Sequence, residues 1–142
     1  MGRQALKIPG LGGRVTIINC HAPTNSGDNR ELREAYYRDL NEELINNSGK
    51  VILAGDMNAT PDSEPVSILI KHWTNATDTP PAATAPATNP KSRIDYVFFR
   101  PTQCFRLISA RVINESLASD HRPVFAELEF NPPVRDKDAT RD

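Results

Sequence analysis

The chain has 142 residues, 38% of them hydrophobic, which fits one domain with a modest core. Its 17 lysines and arginines nearly balance its 18 acidic residues. The net charge of -1 therefore excludes the basic surface of a dedicated nucleic-acid-binding module, although an enzyme can hold phosphates locally. The amino terminus lacks the apolar core of a signal peptide and no stretch is long enough to span a membrane, so we expect a soluble chain, cytoplasmic by default.

The first predicted strand covers residues 14–20, where the sequence RVTIINC is rich in β-branched side chains, and a flexible leader is expected over residues 1–13. From Asp28 onward, apolar residues recur every four positions, which predicts an amphipathic helix that ends near Gly49. The predicted packing face of this helix consists of Leu32, Tyr36, Leu40 and Leu44.

A second strand and a second helix follow. Residues 51–55 are apolar toward both sides, which is typical of a strand in the interior of a sheet. Asp62 or Ser63 can cap the next helix, and Pro65 fits its first turn. Residues 74–92 are rich in Pro, Ala and Thr and predict a long irregular loop. The predicted packing side chains of the second helix are Val66, Leu69, Ile70 and Trp73.

Three strands close the chain, at residues 94–99, about 104–114 and 124–130. Neither an internal repeat nor a linker divides the sequence, so a single domain is predicted over residues 14–131. A disordered tail is expected over residues 132–142.

Polar side chains flank four of the predicted strands at their ends. Strand ends are rigid anchors for loops that carry chemistry, so these residues could line one edge of a sheet. Hydrolysis of a phosphate ester needs an oriented water, neutralised phosphoryl oxygens and help for the leaving group, often from a divalent metal. The candidate residues are His21, Asp56, Asn58, Asp95, Asp120 and His121.

Each of these residues also has a purely structural interpretation. Asp56 and Asn58, taken alone, would more often form a turn or cap a helix. A lone histidine such as His121 is more often a satisfied core residue. Asp95 is harder to explain, because a carboxylate in an apolar strand must find a partner or lose its charge, and His121 is its natural partner. Four such elements in one short chain favour a functional site.

Four motifs, in this order, resemble the endonuclease/exonuclease/phosphatase superfamily. Its members are metal-dependent phosphoesterases that include deoxyribonuclease I, abasic-site endonucleases, neutral sphingomyelinases and inositol polyphosphate 5-phosphatases. The resemblance covers about residues 14–130 and corresponds to the second half of the family's fold. It implies an α/β (α+β) fold that is half of a four-layer α/β/β/α sandwich, with one mainly antiparallel or mixed sheet and helices on one face. The motifs are Asn19-Cys20-His21, Gly55-Asp56-Met57-Asn58, Arg93-Ile94-Asp95-Tyr96 and Ser119-Asp120-His121.

The resemblance implies a role for each candidate. Asp56 would orient or deprotonate the attacking water, and Asn58 would donate to the phosphate and hold Asp56 in place. Two positions apart on an extended segment, their side chains would point to the same side. His121, kept protonated and oriented by Asp95, would donate to a phosphoryl oxygen in the transition state. His21 would also contact the phosphate.

The resemblance further implies a Mg²⁺ or Mn²⁺ cofactor, with Asp120 on or near the ion. The family's principal metal-ligand glutamate comes from the first half of the fold, which has no counterpart here. The sheet face that would meet this first half is expected to be exposed, and a second copy of the chain or a separate first-half chain is expected to cover it.

The predicted function is a metal-dependent phosphoesterase that acts on phosphodiesters or phosphomonoesters, with nucleic acid among the candidate substrates. The alternative is a catalytically silent, truncated relic that serves as a binding or assembly module.

Overall fold

The computed structural model describes residues 2–7, 14–46, 49–77 and 81–130, which form seven strands and two helices. The predicted α/β class is confirmed, as are five predicted strands and both predicted helices. In chain order the elements are β1 (Gly2–Lys7), β2 (Arg14–His21), α1 (Arg30–Ile45), β3 (Lys50–Asp56), α2 (Glu64–Leu69), β4 (Thr74–Asn75), β5 (Asp95–Arg100), β6 (Phe105–Val112) and β7 (Val124–Phe130).

Five strands form one mixed sheet in the order β1-β2-β3-β5-β4. Strands β2 and β3 are parallel, and α1 provides the crossover between them, because parallel neighbours need a long connection. The other three pairs are antiparallel. The registers place His21 opposite Asp56 and Asp56 opposite Asp95, so three polar strand ends lie side by side.

Both helices pack on one face of the five-stranded sheet. Tyr37 and Leu40 of α1, with Val66 and Leu69 of α2, close a core over the alternate residues of β2, β3 and β5 that point toward the helices. The predicted place of Ile70 in this core is wrong, because α2 ends at Leu69 and the Ile70 side chain is 50% exposed. Of the helices that the structure describes, none has the length and apolar character needed to cross a membrane.

The packing face of α1 differs from the prediction at its start. Leu32 is 60% exposed, and Tyr37 instead packs against the sheet with Leu40. In a helix of 3.6 residues per turn, residues spaced four apart are rotated by about 40° from one to the next around the helix axis. Over the three steps from Leu32 to Leu44 this rotation is too large for all four side chains to lie on one face. The prediction for Leu32 is therefore wrong, and the side chain of Leu44 lies outside the described residues.

Strands β6 and β7 form a separate two-stranded sheet that packs on the face opposite the helices. The Phe105 ring lies between Phe99 and Phe130, with centroid distances of 5.3 and 5.1 Å. Ile52 and Val97 are half-buried beneath the same hairpin. The expectation that this face would be exposed is wrong for these residues, because a hairpin of the same chain covers them. Association with a second chain stays a prediction.

The expected flexible leader over residues 1–13 is wrong for residues 2–7, which form strand β1. This strand pairs with β2 from Gly2 opposite Asn19 to Lys7 opposite Arg14, and it satisfies backbone groups that an unpaired edge would leave open. Residues 8–13 and the tail after residue 130 lie outside the described residues.

The segment 74–92, predicted as an irregular loop, contains the short strand β4 and a bridge between Ala85 and Ser92. Strand β4 pairs with β5 at the edge of the sheet. The division of the chain into a domain over residues 14–131 and flanking segments stays a prediction.

Candidate active site

Three polar side chains project from neighbouring strand ends. His21 ends β2, Asp56 ends β3 and Asp95 begins β5, and the antiparallel pairing of β3 with β5 brings a strand end and a strand start to the same edge. Backbone bonds close this edge, because the amide of Ala22 donates to the Asp56 carbonyl at 2.8 Å. The sheet topology therefore assembles the predicted strand-end group.

His121 reaches the same edge from the segment between β6 and β7. Its Nδ1 atom lies 3.1 and 3.0 Å from the two carboxylate oxygens of Asp95. Burial alone would lower the pKa of His121, but the hydrogen bond and charge of Asp95 outweigh it, with contributions from Asp56 and Asp120, and raise the pKa above its ordinary value of 6.5. The arrangement favours a protonated imidazole with Nδ1 engaged and Nε2 free to donate elsewhere.

The Asp56 carboxylate is oriented by its own turn. Oδ1 accepts the backbone N–H of Asn58 at 2.7 Å, and Oδ2 lies 3.5 Å from Nε2 of His21. The Asp56 side chain is 18% exposed, whereas that of His21 is 77% exposed. Asp56 thus keeps one oxygen on the side of the site where a water or substrate could approach.

Asn58 does not continue the extended strand. Its φ of 45° is in the left-handed region, which asparagine tolerates better than most residues. Its side-chain amide donates to the Ala22 carbonyl at 2.7 Å, while its backbone N–H, rather than its side chain, holds Asp56. The prediction that Asp56 and Asn58 point to one side as neighbours on an extended segment is therefore wrong in its geometry.

Asp56, Asp95 and His121 form the one group of potential metal ligands in the described part of the chain, with a ligand atom of each within 4.8 Å of the others. Asp120 is not part of this group. Its side chain is exposed and accepts a hydrogen bond from the Ser119 hydroxyl at 3.3 Å. Its backbone carbonyl accepts the amide of Ala87 at 2.7 Å.

The segment that carries His121 is anchored by contacts that sequence reasoning missed. The Arg122 amide donates to the Thr84 carbonyl at 2.7 Å, and Arg122 Nε donates to the Ala87 carbonyl at 2.7 Å. The fully buried Thr84 hydroxyl accepts the backbone N–H of Asp95 at 3.4 Å. Thr84 lies in a loop rich in Thr and Ala, where nothing in the sequence distinguishes it from its neighbours. Sequence analysis therefore could not have identified its role.

A pocket of about 390 Å³ opens beside the Asp95–His121 pair. It runs between the five-stranded sheet and the segment 119–124, and Asn19 lies on its sheet side. The pocket places open space next to the polar group, so a substrate could reach it.

Comparison with known proteins identifies the class to which this fold belongs. The family model described as "Endonuclease/Exonuclease/phosphatase family" matches residues 2–121, and the chain belongs to this family. The resemblance seen in the four sequence motifs is therefore confirmed. No protein of curated function matches the chain.

Several solved structures share the fold. A functionally unknown conserved protein from Enterococcus faecalis is similar at 21% identity and a TM-score of 0.75, over 91% of this chain and 55% of that one. An endonuclease/exonuclease/phosphatase from Beutenbergia cavernae is similar at 25% identity and a TM-score of 0.70, over 89% of this chain and 38% of that one. A mannosyl-6-phosphatase from Bacteroides thetaiotaomicron is similar at 20% identity and a TM-score of 0.62, over 82% of this chain and 52% of that one. The chain thus spans about half or less of the length of these structures.

Proposed function

We propose that this chain carries the active site of a divalent-metal-dependent phosphoesterase that hydrolyses a phosphodiester or phosphomonoester with an activated water. The observation that carries the proposal is the convergence of Asp56, Asp95 and His121, which are distant in sequence, on one group within 4.8 Å. Membership in a family of phosphate-ester hydrolases supports the same reaction class. A structural role alone would not require two carboxylates and an imidazole at a pocket mouth.

In this proposal His121 stabilises charge on the phosphoryl group. Asp95 fixes the ring through Nδ1 at 3.0 and 3.1 Å and favours the protonated form, so Nε2–H can donate to a phosphoryl oxygen. The contact is charge-assisted and strengthens as negative charge accumulates in the transition state. Asp95 is the residue that holds the imidazole in this orientation.

Asp56 would orient and deprotonate the attacking water. The Asn58 N–H occupies Oδ1 at 2.7 Å, which leaves Oδ2 as the basic atom. His21, whose Nε2 lies 3.5 Å from that oxygen, would contact the phosphate from the exposed side, and the Asn58 side chain would donate its remaining N–H. His21 and Asp56 end the parallel strands β2 and β3, and Asn58 lies in the turn that follows β3.

The residues present fit a hard divalent cation. Mg²⁺ binds one or two carboxylates and keeps several waters, and the Asp120 side chain is exposed to solvent next to His121. We propose that the Asp120 carboxylate holds Mg²⁺ or Mn²⁺, which leaves Asp56 free as the base. Protonated His121 is a poor ligand, and Asp95 is engaged with it. The ion would supply Lewis-acid neutralisation of the phosphate.

The substrate is proposed only by class. The mannosyl-6-phosphatase among the similar structures favours small phosphomonoesters, whereas the family name includes nucleases, and the pocket beside His121 is open to either. An apolar groove of about 450 Å³ remains between the sheet and the hairpin, and we further propose that a second copy or another chain packs against the protein there.

The test measures release of p-nitrophenol from bis(p-nitrophenyl) phosphate and from p-nitrophenyl phosphate, and nicking of plasmid DNA, each with Mg²⁺, Mn²⁺ or EDTA. We expect that at least one of these substrates is hydrolysed in the presence of the metal and that EDTA abolishes this hydrolysis. In parallel, Mn²⁺ titrated into labelled protein should broaden the amide signals of Asp56 and Asp120 before those of β6. Background rates in every condition, without site-specific broadening, would favour the silent binding module.

A further inference from the structure

Side chains hold all three carbonyls of the turn 57–59, which follows the catalytic end of β3. The Tyr37 hydroxyl donates to the first carbonyl, Arg33 Nη2 donates to the second at 3.1 Å, and the Tyr96 hydroxyl lies 2.8 Å from the third. Two of these side chains come from α1 and one from β5. We name this set of three side chains the carbonyl clamp.

The clamp acts on the peptide groups that flank Asn58. The first carbonyl shares a planar peptide with the Asn58 N–H, which donates to Asp56 Oδ1 at 2.7 Å. The second carbonyl belongs to the next peptide. Because Tyr37 holds one plane and Arg33 holds the other, together they fix the rotation at Asn58, whose φ of 45° is uncommon for a residue other than glycine.

Arg33 is the member of the clamp that also reaches a second loop. Its Nη1 donates at 3.2 Å to Oδ1 of Asn25, in the loop that follows His21. The guanidinium thus bridges the segments after β2 and β3, and it lies 5.7 Å from the centre of the Tyr37 ring. Tyr37 and Tyr96 are buried in the core, whereas Arg33 is half-buried beside an open groove between the two helices.

We propose that Arg33 is a positioning residue for the active site. It holds the peptide that follows Asn58, so that with Tyr37 it keeps the Asn58 N–H directed at Asp56, and it ties the His21 loop to the same turn. The inference rests on the proposed function only for its catalytic consequence. Its structural part, the aim of one N–H group at a carboxylate, stands on the contacts alone. Lysine would keep the charge but could not reach two acceptors in a fixed fork.

Amide hydrogen exchange in the metal-free protein tests this. In Arg33→Gln we expect the Asn58 amide to exchange about tenfold faster, the scale of one lost charge-assisted hydrogen bond, with a smaller increase in Arg33→Lys. The amides of Leu53 and Phe98, in the neighbouring strands, should keep their rates. The matched control is Arg30→Gln, because Arg30 lines the same groove but pairs with Glu34 at 2.9 Å.

Unchanged Asn58 exchange in Arg33→Gln, or an equal acceleration at Leu53, would overturn the proposal, since the second result indicates global destabilisation. If the wild type hydrolyses bis(p-nitrophenyl) phosphate, kcat should fall about tenfold in Arg33→Gln with KM nearly unchanged, and Arg30→Gln should match the wild type. A wild type without activity would count against the proposed function, while the exchange rates would still decide the role of Arg33.

Discussion

At the scale of single residues, the site depends on pairs that set each other's orientation. Asp95 and His121 are 26 positions apart and meet through two contacts of 3.0 and 3.1 Å. Asp56 is held by the Asn58 backbone at 2.7 Å. In each pair one residue, His121 or Asp56, faces the open side of the site, and its partner fixes the orientation of that side chain. A preorganised site requires this arrangement.

The pair of Asp95 and His121 predicts a pH dependence. A raised pKa means that the folded protein binds the His121 proton more tightly than the unfolded chain does. The pair therefore contributes its full stability below the ordinary pKa of 6.5, and this contribution is lost as pH rises through the raised value. NMR titration of metal-free protein should show a lower His121 pKa in Asp95→Asn, with the His72 resonance as an internal reference.

The same comparison can be made on stability. The difference in unfolding free energy between wild type and Asp95→Asn should be largest at mildly acidic pH, just below the ordinary histidine pKa of 6.5, and should shrink above the raised pKa. Identical His121 titration curves in the two proteins would contradict the assignment of Asp95 as the group that holds this imidazole.

At the scale of elements, the close approach of β2 and β3 places His21 beside Asp56. Gly55 permits this close approach because it has no Cβ atom. A Cβ built on it would lie 2.0 Å from the Cys20 carbonyl oxygen, and the φ angle of Gly55 is +136°. No side-chain rotation can relieve a clash with a backbone atom. The strand end that carries Asp56 therefore requires glycine at its penultimate position.

Gly55→Ala should consequently lower the free energy of unfolding by about 4 kcal/mol or prevent folding, a cost at the extreme of single substitutions. Gly27→Ala is the matched control. Gly27 also has a positive φ, of +64°, but nothing lies within 4 Å of its built Cβ, so a cost of about 1 kcal/mol is expected. Urea denaturation measures both, and equal costs would show that the contact with Cys20 is unimportant.

At the scale of the whole molecule, the five-stranded sheet is enclosed by helices on one face and by the β6–β7 hairpin on the other. The rings of Phe99, Phe105 and Phe130 are the largest side chains packed between the hairpin and the sheet. The segment with His121 follows β6, so the hairpin also supports the loop that completes the site.

Phe105→Ala should therefore destabilise the protein by about 3–5 kcal/mol and increase the fluorescence of a hydrophobic dye at the uncovered sheet face. Leu117→Ala is the control, because Leu117 is 94% exposed and its removal should change neither quantity. Wild-type stability and dye fluorescence in Phe105→Ala would mean that the hairpin does not cover the sheet.

Much of this architecture could be predicted from local patterns. The β-branched run of β2 and the apolar run of β3 were sufficient to identify these two strands. The polar residues at or just after their ends, His21, Asp56 and Asn58, were identified as candidate site residues from the same pattern. Strand β1 could not be predicted, because its six residues pair through backbone groups that any side chain permits. The separation of β6 and β7 from the main sheet also follows from long-range packing, and alternation along β7 is the same in either arrangement.

The sequence was less informative about how the site is held. Asn58 was predicted as a neighbour of Asp56 on a strand, but its left-handed backbone and its contact with Ala22 depend on a turn that no residue spacing encodes. Thr84 and Arg33 act through backbone atoms of other segments, and such contacts leave no motif.

The rate of hydrolysis by site variants tests the central claim most directly. With Mg²⁺ and the best substrate from the panel, His121→Ala should lower kcat by about 100-fold or more, and Asp95→Asn by about tenfold. His72→Ala should retain the wild-type rate, because His72 lies in the turn after α2 and takes no part in the described site. A His121→Ala protein as active as His72→Ala would contradict the assignment of the Asp56, Asp95 and His121 group as a phosphoesterase centre.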